Sequence, residues 1–442
     1  MKLDGEYIVK TLIENGYEAF FVGGCVRDAF LEVAPKDIDI ATNALPEIVE
    51  GLFERTIPTG KDYGTITVLI NEHSFEVTTY RLDCDYDGRR PKVVTFANTL
   101  IEDLSRRDFT MNAMAMGLDG EIVDPFEGRK DLENGLLNFV GDPMERIRED
   151  RIRVLRYVRF LSRYDLQPGP SGVAPNEVVD ISNLSAERVR EEFNKIMMSS
   201  SAPRGIQLLE EMELLKQFFP ELSMCKGFKQ DHPAHFQDVF DHTLTVLSKC
   251  KADLILRLAA LCHDLGKVRT KTFDEAGIGH FYGHQKESVA LTETMMKRLK
   301  YSNKEIEAVK TLVYHHMRTY EAGTTASARR IIYQVGKESL DLFFELQLAD
   351  TTACSGDRDM FVAQINHMKM MCRQLIEMNE AFSLKDLKIN GNDLMGIGYT
   401  GKKIGETLSE LLECVISETC VNESYVLLEK AKVLFSTTHN VT

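Results

Sequence analysis

Period-two alternation marks strands near the amino terminus. In "SFEVTTYR" (74–81) Phe75, Val77 and Thr79 alternate with Glu76, Thr78 and Tyr80, so one set faces a core and Glu76 points away from it. The runs "EAFFVGG" (18–24), "GTITVLI" (64–70) and "AMAMGLDGEIVD" (113–124) read the same way. Together they predict the chain's one sheet, mixed with helical patterns, within residues 1–136. From about residue 137 apolar positions recur at helical spacing, interrupted by the Pro/Gly-rich loop "QPGPSGVAPN" (167–176). The expected class is α+β: a head with a small mixed sheet, then an all-α neck, body and tail.

The length of 442 residues suggests about three domains, at roughly 100 to 200 residues each. No apolar run approaches the roughly 18 residues of a membrane span. The start "MKLDGEYIVKTLIENG" reads as an amphipathic helix with mixed charges rather than a signal peptide, so a soluble protein without membrane partners is expected. Nine cysteines, an odd number and without CxxC pairs, favour a reducing cytoplasm. The net charge of −15 argues against a polyanionic partner, which needs Lys or Arg at the contact. Distribution changes that picture. Seven arginines, Arg146 to Arg163, fall within the helix-like "ERIREDRIRVLRYVRFLSR". A solvated face paired with Glu145, Glu149 and Asp150 is one reading, and a phosphate- or base-facing surface is the favoured one. Eight of the 11 histidines lie between His232 and His316, which marks a chemically separate unit.

Residues i and i+2 of a strand share a face, so "DID" sets Asp37 and Asp39 side by side, suited to chelating divalent cations. Two such ions can activate an attacking hydroxyl and stabilise the leaving oxygen in a displacement at phosphorus. Glu76 offers a third carboxylate. Gly23 and Gly24 follow the apolar "FFV" and precede "VRDAFL", where backbone N–H groups could hold phosphates with Arg27 as counter-charge. A plain strand-to-helix turn fits equally well until the motifs are taken together.

In chain order GGxVRD, the Asp37/Asp39 pair, "EVTTYR" and "RRDFTMNAMA" (106–115) resemble the class II tRNA nucleotidyltransferases, that is, the CCA-adding enzymes and the related bacterial poly(A) polymerases. The resemblance implies a polymerase-β-like head in which Asp37 and Asp39 hold two magnesium ions with Glu76 in support. Gly23, Gly24, Arg27 and Arg107 would then meet the triphosphate, and Asp108 and Asn112 the ribose. The family's EDxxR motif stands here as "EDRIR", with Glu149, Asp150 and Arg153; Arg156 joins the implied nucleotide-binding set. Spacing i, i+3 would put Asp150 and Arg153 on one helix face. A carboxylate accepts from the amino group of cytosine or adenine, whereas uracil and guanine offer an oxygen there; such pairs discriminate by about 1–3 kcal/mol. An ordinary i, i+3 salt bridge is the plain alternative. "RLDCDYDGRRPKVVTF" (81–96) resembles the family's flexible loop, its core being Asp87, Gly88, Arg89 and Pro91. That loop ranks full CCA addition ahead of A-only addition and poly(A) synthesis. In "SAERVREEFNKIM" (185–197) Ser185 suits an N-cap, and Val189, Phe193 and Ile196 suit core packing.

"LAALCHDLGK" (258–267), with "HFQDVFDHTL" (235–244) and "LQLADTTA" (346–353), resembles the HD phosphohydrolase domain. The ligands implied are His242, His263, Asp264 and Asp350, with His284 and His315 as additions sufficient for a second ion. Such mixed ligation suits Mn, Fe, Ni, Zn or Mg. Hydrolysis there could trim damaged 3′ ends. His235, His280 and His316 stay ambiguous. "GIGYTGKK" (396–403) nearly spells a P-loop, but Lys403 stands where Ser or Thr must hold magnesium, which excludes that reading. Lys402 and Lys403 could instead touch an RNA phosphate. The resemblance thus implies a head (1–136), a neck for base and RNA binding (137–228), an HD body (229–356) and a tRNA-binding tail (357–442). The expected partners are tRNA, CTP and ATP, and the expected assembly a monomer or homodimer. The alternative from another class is an HD-type phosphohydrolase with a nucleotide-binding head.

Overall fold

The computed structural model describes residues 2–86, 91–173, 179–233, 236–318, 323–378 and 383–439. The chain forms two compact units, residues 1–218 and 219–442.

The first unit is built on a seven-stranded mixed sheet. Its strands are β1 (Ala19–Val22), β2 (Asp39–Thr42), β3 (Thr56–Gly60), β4 (Thr65–Ile70), β5 (His73–Thr79), β8 (Ala115–Met116) and β9 (Ile122–Val123), in the order β3-β4-β5-β2-β1-β8-β9. Only β2 and β5 run parallel; the other neighbours are antiparallel. Two more strands, β6 (Arg81–Tyr86) and β7 (Pro91–Phe96), pair with each other as a separate antiparallel ribbon, and the short Leu136–Leu137 and Gln167–Pro168 pair in parallel. The expected flexible loop is therefore mostly a ribbon, while Asp87, Gly88 and Arg89 at its tip lie outside the described residues.

Register decides which face does chemistry. Phe21 pairs with Ile40 and Ile40 with Val77, and this apolar row lies beneath helix Lys2–Glu14, whose Gly5 comes close to Phe21, Phe75 and Ile38. The neighbouring row, Val22, Asp39 and Glu76, faces the other way. Alternation along β5 holds from Phe75 to Thr79 and then fails: Tyr80, just past the strand, is fully buried, with its hydroxyl on Glu18.

Helix Ile152–Arg163 is anchored against the head by aromatic contacts. Phe109 meets Phe139 at 4.7 Å and Phe160 at 5.4 Å, and Phe139 meets Tyr157 at 5.3 Å. Helix Ala186–Met197 packs on it with Val189, Phe193 and Ile196 buried, as the sequence suggests. Ser185 occupies the N-cap position, but its side chain makes no capping hydrogen bond.

The second unit is helical among the described residues apart from the short pair Thr272–Phe273 and Gly279–His280. Helices Val239–Lys249, Leu254–Cys262, His284–Arg298, Asn303–His315 and Leu340–Ala353 pack together around buried histidines. The tail has its own core, which includes Leu394, Leu411, Ile416 and Leu427. Helix Lys402–Ile416 begins after Gly401 and follows a helix rather than a strand, as expected of a decoy P-loop. Among the described residues no helix is long and apolar enough to cross a membrane.

Candidate active site and metal centre

A cleft of about 900 Å³ opens in the first unit. Asp37, Asp39 and Glu76 line it together with Gly23, Arg27, Arg107, Asp150, Arg153 and Arg156. Asp39 begins β2 and pairs in register with Glu76 of the parallel β5, so the two carboxylates occupy strands about 4.8 Å apart. Asp37 lies just outside the strand, beyond the buried Ile38. Burial and the nearby charges of Glu76 and Asp37, partly offset by Arg107, push the Asp39 carboxyl up to about 6. Like charges facing each other across a sheet destabilise it, so this trio calls for cations, and its hard oxygen donors suit magnesium.

Gly23 turns the chain from β1 into helix Gly24–Phe30 with φ 73°. The positive φ favours glycine, and a Cβ there would lie 2.8 Å from Arg107 Nη1, so a side chain would have to displace that guanidinium. Arg107 Nη2 donates to Asp103 Oδ2 at 3.1 Å, and Asp103 also accepts from Arg106 at 2.6 Å. Burial alone would raise the Asp103 carboxyl, but the two guanidiniums hold it below its usual range.

A hydrogen-bonded chain joins the remaining residues. Arg27 Nη1 donates to Asn112 Oδ1 at 2.6 Å, Asn112 Nδ2 to Asp108 Oδ1 at 3.0 Å, and Arg156 Nε to Asp108 Oδ2 at 2.7 Å. Against burial, Arg156, Asn112 and Arg153 keep Asp108 below the usual carboxylate range. Arg27 is further fixed by Asp28 and lies 4.8 Å from the centre of the Tyr164 ring.

The structure corrects the expected helix face. Helix Pro143–Glu149 ends before Asp150, whose extended backbone (φ −147°, ψ 106°) separates it from helix Ile152–Arg163. Asp150 Oδ2 accepts from Arg188 at 2.6 Å and Oδ1 from the Ile152 N–H at 3.2 Å. Arg153 is held by Glu149 and by the Arg146 and Arg106 carbonyls. Both residues reach the cleft, but through a break in the helix and with different partners. Arg156, Arg159 and Arg163 also line the cleft, whereas Arg148 is exposed and Arg151 pairs with Asp180. The arginine run is therefore split between the two readings.

In the second unit His242, His263 and Asp264 form one cluster with ligand atoms close enough to share an ion, and Asp264, His284 and His316 form another. Asp264 joins them. Its Oδ2 is 3.2 Å from His263 Nε2 and 3.7 Å from His242 Nε2, and its Oδ1 is 3.3 Å from His284 Nε2 and 3.8 Å from His316 Nε2. Asp350 Oδ1 is 3.0 Å from His242 Nε2. His263, His284 and His316 each place Nδ1 at 2.7–2.8 Å from the carbonyl three residues earlier, namely Ala260, Phe281 and Val313. Nδ1 donates to each carbonyl, which leaves the Nε2 of a neutral ring as an acceptor on the side of Asp264. His263 Nε2 and Asp264 Oδ2 are buried against each other, and the His284 and His316 Nε2 atoms approach to 3.2 Å. Burial opposes charge on His263, yet Asp264 and Asp350 outweigh it and hold that imidazole above its usual range; at His316 burial prevails and lowers it. Acceptors crowded in this way fit a divalent cation, and imidazole with carboxylate suits a transition metal or magnesium.

His316, not His315, belongs to this cluster. His315 is partly exposed, and burial followed by Arg318 lowers it to about 4. Helical periodicity carried the signal: Val309, Leu312 and Val313 are buried, which puts position 316 rather than 315 on the inner face. Arg188, Asp103 and Lys267 were also missed. Lys267 Nζ is 2.7 Å from Asp264 Oδ2 and donates to Gln230 at 2.8 Å.

Three family models match the chain: "Poly A polymerase head domain" over residues 19–138, "Probable RNA and SrmB- binding site of polymerase A" over 178–225, and a tRNA nucleotidyltransferase domain 2 model over 283–431. A CCA-adding enzyme of Bacillus subtilis is 43% identical over 213 residues, 48% of this chain and 54% of that enzyme. The CCA-adding enzyme of Limosilactobacillus fermentum is 31% identical across 96% of this chain and 95% of its own. The crystal structure of the Bacillus stearothermophilus CCA-adding enzyme in complex with CTP superposes with a TM-score of 0.76 at 26% identity, covering 100% of this chain and 99% of that one.

Proposed function

Because the chain belongs to the CCA-adding enzymes, a family of nucleotidyltransferases, we propose that it adds the 3′-terminal CCA to tRNA from CTP and ATP. The tRNA 3′-oxygen bonds the α-phosphorus, the bond to the bridging oxygen of the β-phosphate breaks, and pyrophosphate leaves. The observation that carries this reading is one cleft lined by both the carboxylates Asp37, Asp39 and Glu76 and the pair Asp150 and Arg153. Asp37 and Asp39, with Glu76 in support, would hold two magnesium ions, which would supply positive charge for the attacking and leaving oxygens. Gly23 and Gly24 let the backbone approach the triphosphate, and Arg27 and Arg107 balance its charge. Asp108 and Asn112 meet the ribose, with Arg156 holding Asp108. Asp150 accepts from the amino group of C or A, its orientation set by Arg188. The test is to incubate the protein with magnesium and tRNA lacking its 3′ end, give CTP, ATP or both, and sequence the ends. Terminal CCA only with both nucleotides is the expected result. A run of A would make it a poly(A) polymerase, and A added only to CC ends an A-adding enzyme.

A second activity, hydrolysis of phosphate esters at damaged 3′ ends, is favoured by the buried cluster of the second unit. His242, His263, Asp264 and Asp350, with His284 and His316, would hold one or two divalent ions there, and a bound ion supplies a nucleophilic hydroxide at neutral pH. Elemental analysis after loading with Mn, Fe, Ni, Zn or Mg tests the site. Failure to retain any of them removes this second activity and leaves the first untouched.

A further inference from the structure

Arg27, which balances triphosphate charge, extends a long side chain from the short helix Gly24–Phe30 and needs packing to fix its aim. Tyr164 supplies it, although it stands outside the sequence motifs of the cleft. Helix Ile152–Arg163 ends at Tyr164, whose N–H still donates to the Phe160 carbonyl at 3.1 Å. The two side chains therefore lie one turn apart, with their rings stacked at 6.0 Å and 20° between planes. The Arg27 guanidinium carbon lies over both, 5.4 Å from the centre of Phe160 and 4.8 Å from that of Tyr164. A ring face is electron-rich, so it attracts the guanidinium and restricts it. Arg163 approaches the Tyr164 ring at 5.1 Å.

The hydroxyl makes a second hold. Tyr164 Oη donates to Asp28 Oδ1 at 3.1 Å, and the same oxygen accepts from Arg27 Nε at 2.9 Å and from Arg27 Nη2 at 2.7 Å. Burial, with the charge of Asp28 and against that of Arg27, raises the Tyr164 hydroxyl above its usual range, so it stays protonated and donates. The tyrosine thus steadies the guanidinium directly and also steadies the carboxylate that grips it. What is held lies on the cleft wall: a Cβ on Gly24 would stand 3.5 Å from Arg27 Nη2, and Nη1 donates to Asn112 at 2.6 Å. Among the described residues the three bonds to Asp28 and Asn112 leave two of the five guanidinium N–H groups for a ligand. Such donors suit a phosphate oxygen.

We propose that Tyr164 is a positioning residue for the triphosphate, holding Arg27 beside the glycine turn through its ring and through Asp28. This rests on the reading of the cleft as the nucleotide site. Tyr164 acts on Arg27 and not on the base, so its contribution is equal for CTP and ATP. It extends to pyrophosphate, which shares the phosphates but has no base. Arg188 differs, since it acts through Asp150 on the choice of base.

Full-length protein with magnesium is used throughout. Calorimetry measures binding of CTP, ATP and pyrophosphate, beside KM and kcat for incorporation. Tyr164→Leu keeps bulk but removes the π face and the hydroxyl. It is expected to weaken binding of all three and to raise KM about five- to tenfold, the order of one cation–π contact with a desolvated cation. The kcat and the preference for CTP and ATP over UTP and GTP should hold, and Tyr164→Phe should restore most of the loss. In an Arg27→Ala background Tyr164→Leu should change nothing further. A Leu variant that binds as the parent does, a Phe variant as weak as Leu, a shift in base preference, or a loss that persists without Arg27 would overturn the inference. Tyr164-dependent binding by a protein that incorporates no nucleotide would overturn the CCA-adding reading and support this one. A parent that binds neither CTP nor pyrophosphate would overturn both.

Discussion

At Gly23 a single hydrogen in place of a methyl keeps two functional groups where they are. Gly23→Ala would press on the Arg107 guanidinium and adopt a left-handed backbone costing about 1–2 kcal/mol. We expect a fold that survives and a kcat/KM for CTP incorporation that falls at least about tenfold, measured in single-turnover assays beside a thermal melt. Asp103 works from behind the same site. Its pKa is depressed in the folded state, so the stability it confers is present above the unfolded value near 4 and is lost as pH falls through the folded one. Asp103→Asn should cost about 3–5 kcal/mol at pH 7, and urea midpoints should show the variant losing less than the parent on acidification. In the second unit His316→Ala should lower bound metal in elemental analysis, whereas His315→Ala should leave it unchanged.

The break at Asp150 shows what a spacing rule can and cannot tell. The EDxxR pattern singles out Asp150 and Arg153, both of which line the cleft, but i, i+3 spacing presumes a continuous helix, and Asp150 instead has an extended backbone between two. Its guanidinium partner, Arg188, comes from an element 38 residues away, a long-range contact that local pattern cannot reveal. We expect Arg188→Ala to leave CTP and ATP incorporation measurable while relaxing discrimination against UTP and GTP by about five- to a hundredfold, read by competition between nucleotides. Strands were more legible. Alternation in "SFEVTTYR" located Glu76 outside the apolar row, because burial of one face imposes period two. Tyr80 escaped that logic because the strand stops at Thr79. The ribbon of β6 and β7 was hidden by a sequence rich in charge around Asp87, Gly88, Arg89, Arg90 and Pro91, which reads as loop.

For the molecule as a whole, the charge of −15 was a poor guide, since nine arginines, Arg153, Arg156, Arg159, Arg163 and Arg188 among them, line one cleft and outnumber its five acidic residues. The α+β class was evident from the switch in hydrophobic period near residue 137. The division into two compact units after Phe218 was not, because head and neck share a core built by aromatic contacts distant in sequence. A ligand that binds the native state stabilises the structure it contacts. Hydrogen exchange should therefore show CTP with magnesium slowing exchange within residues 1–218, and a loaded divalent ion slowing it around Leu254–Cys262 and His284–Arg298.

The three carbonyl-tethered imidazoles carry a last implication. Each ring is steadied by a carbonyl three residues earlier, so its aim is settled as the chain folds, before any cation arrives. An ion held there would then enter and leave without unfolding, and its identity would follow the supply in its surroundings.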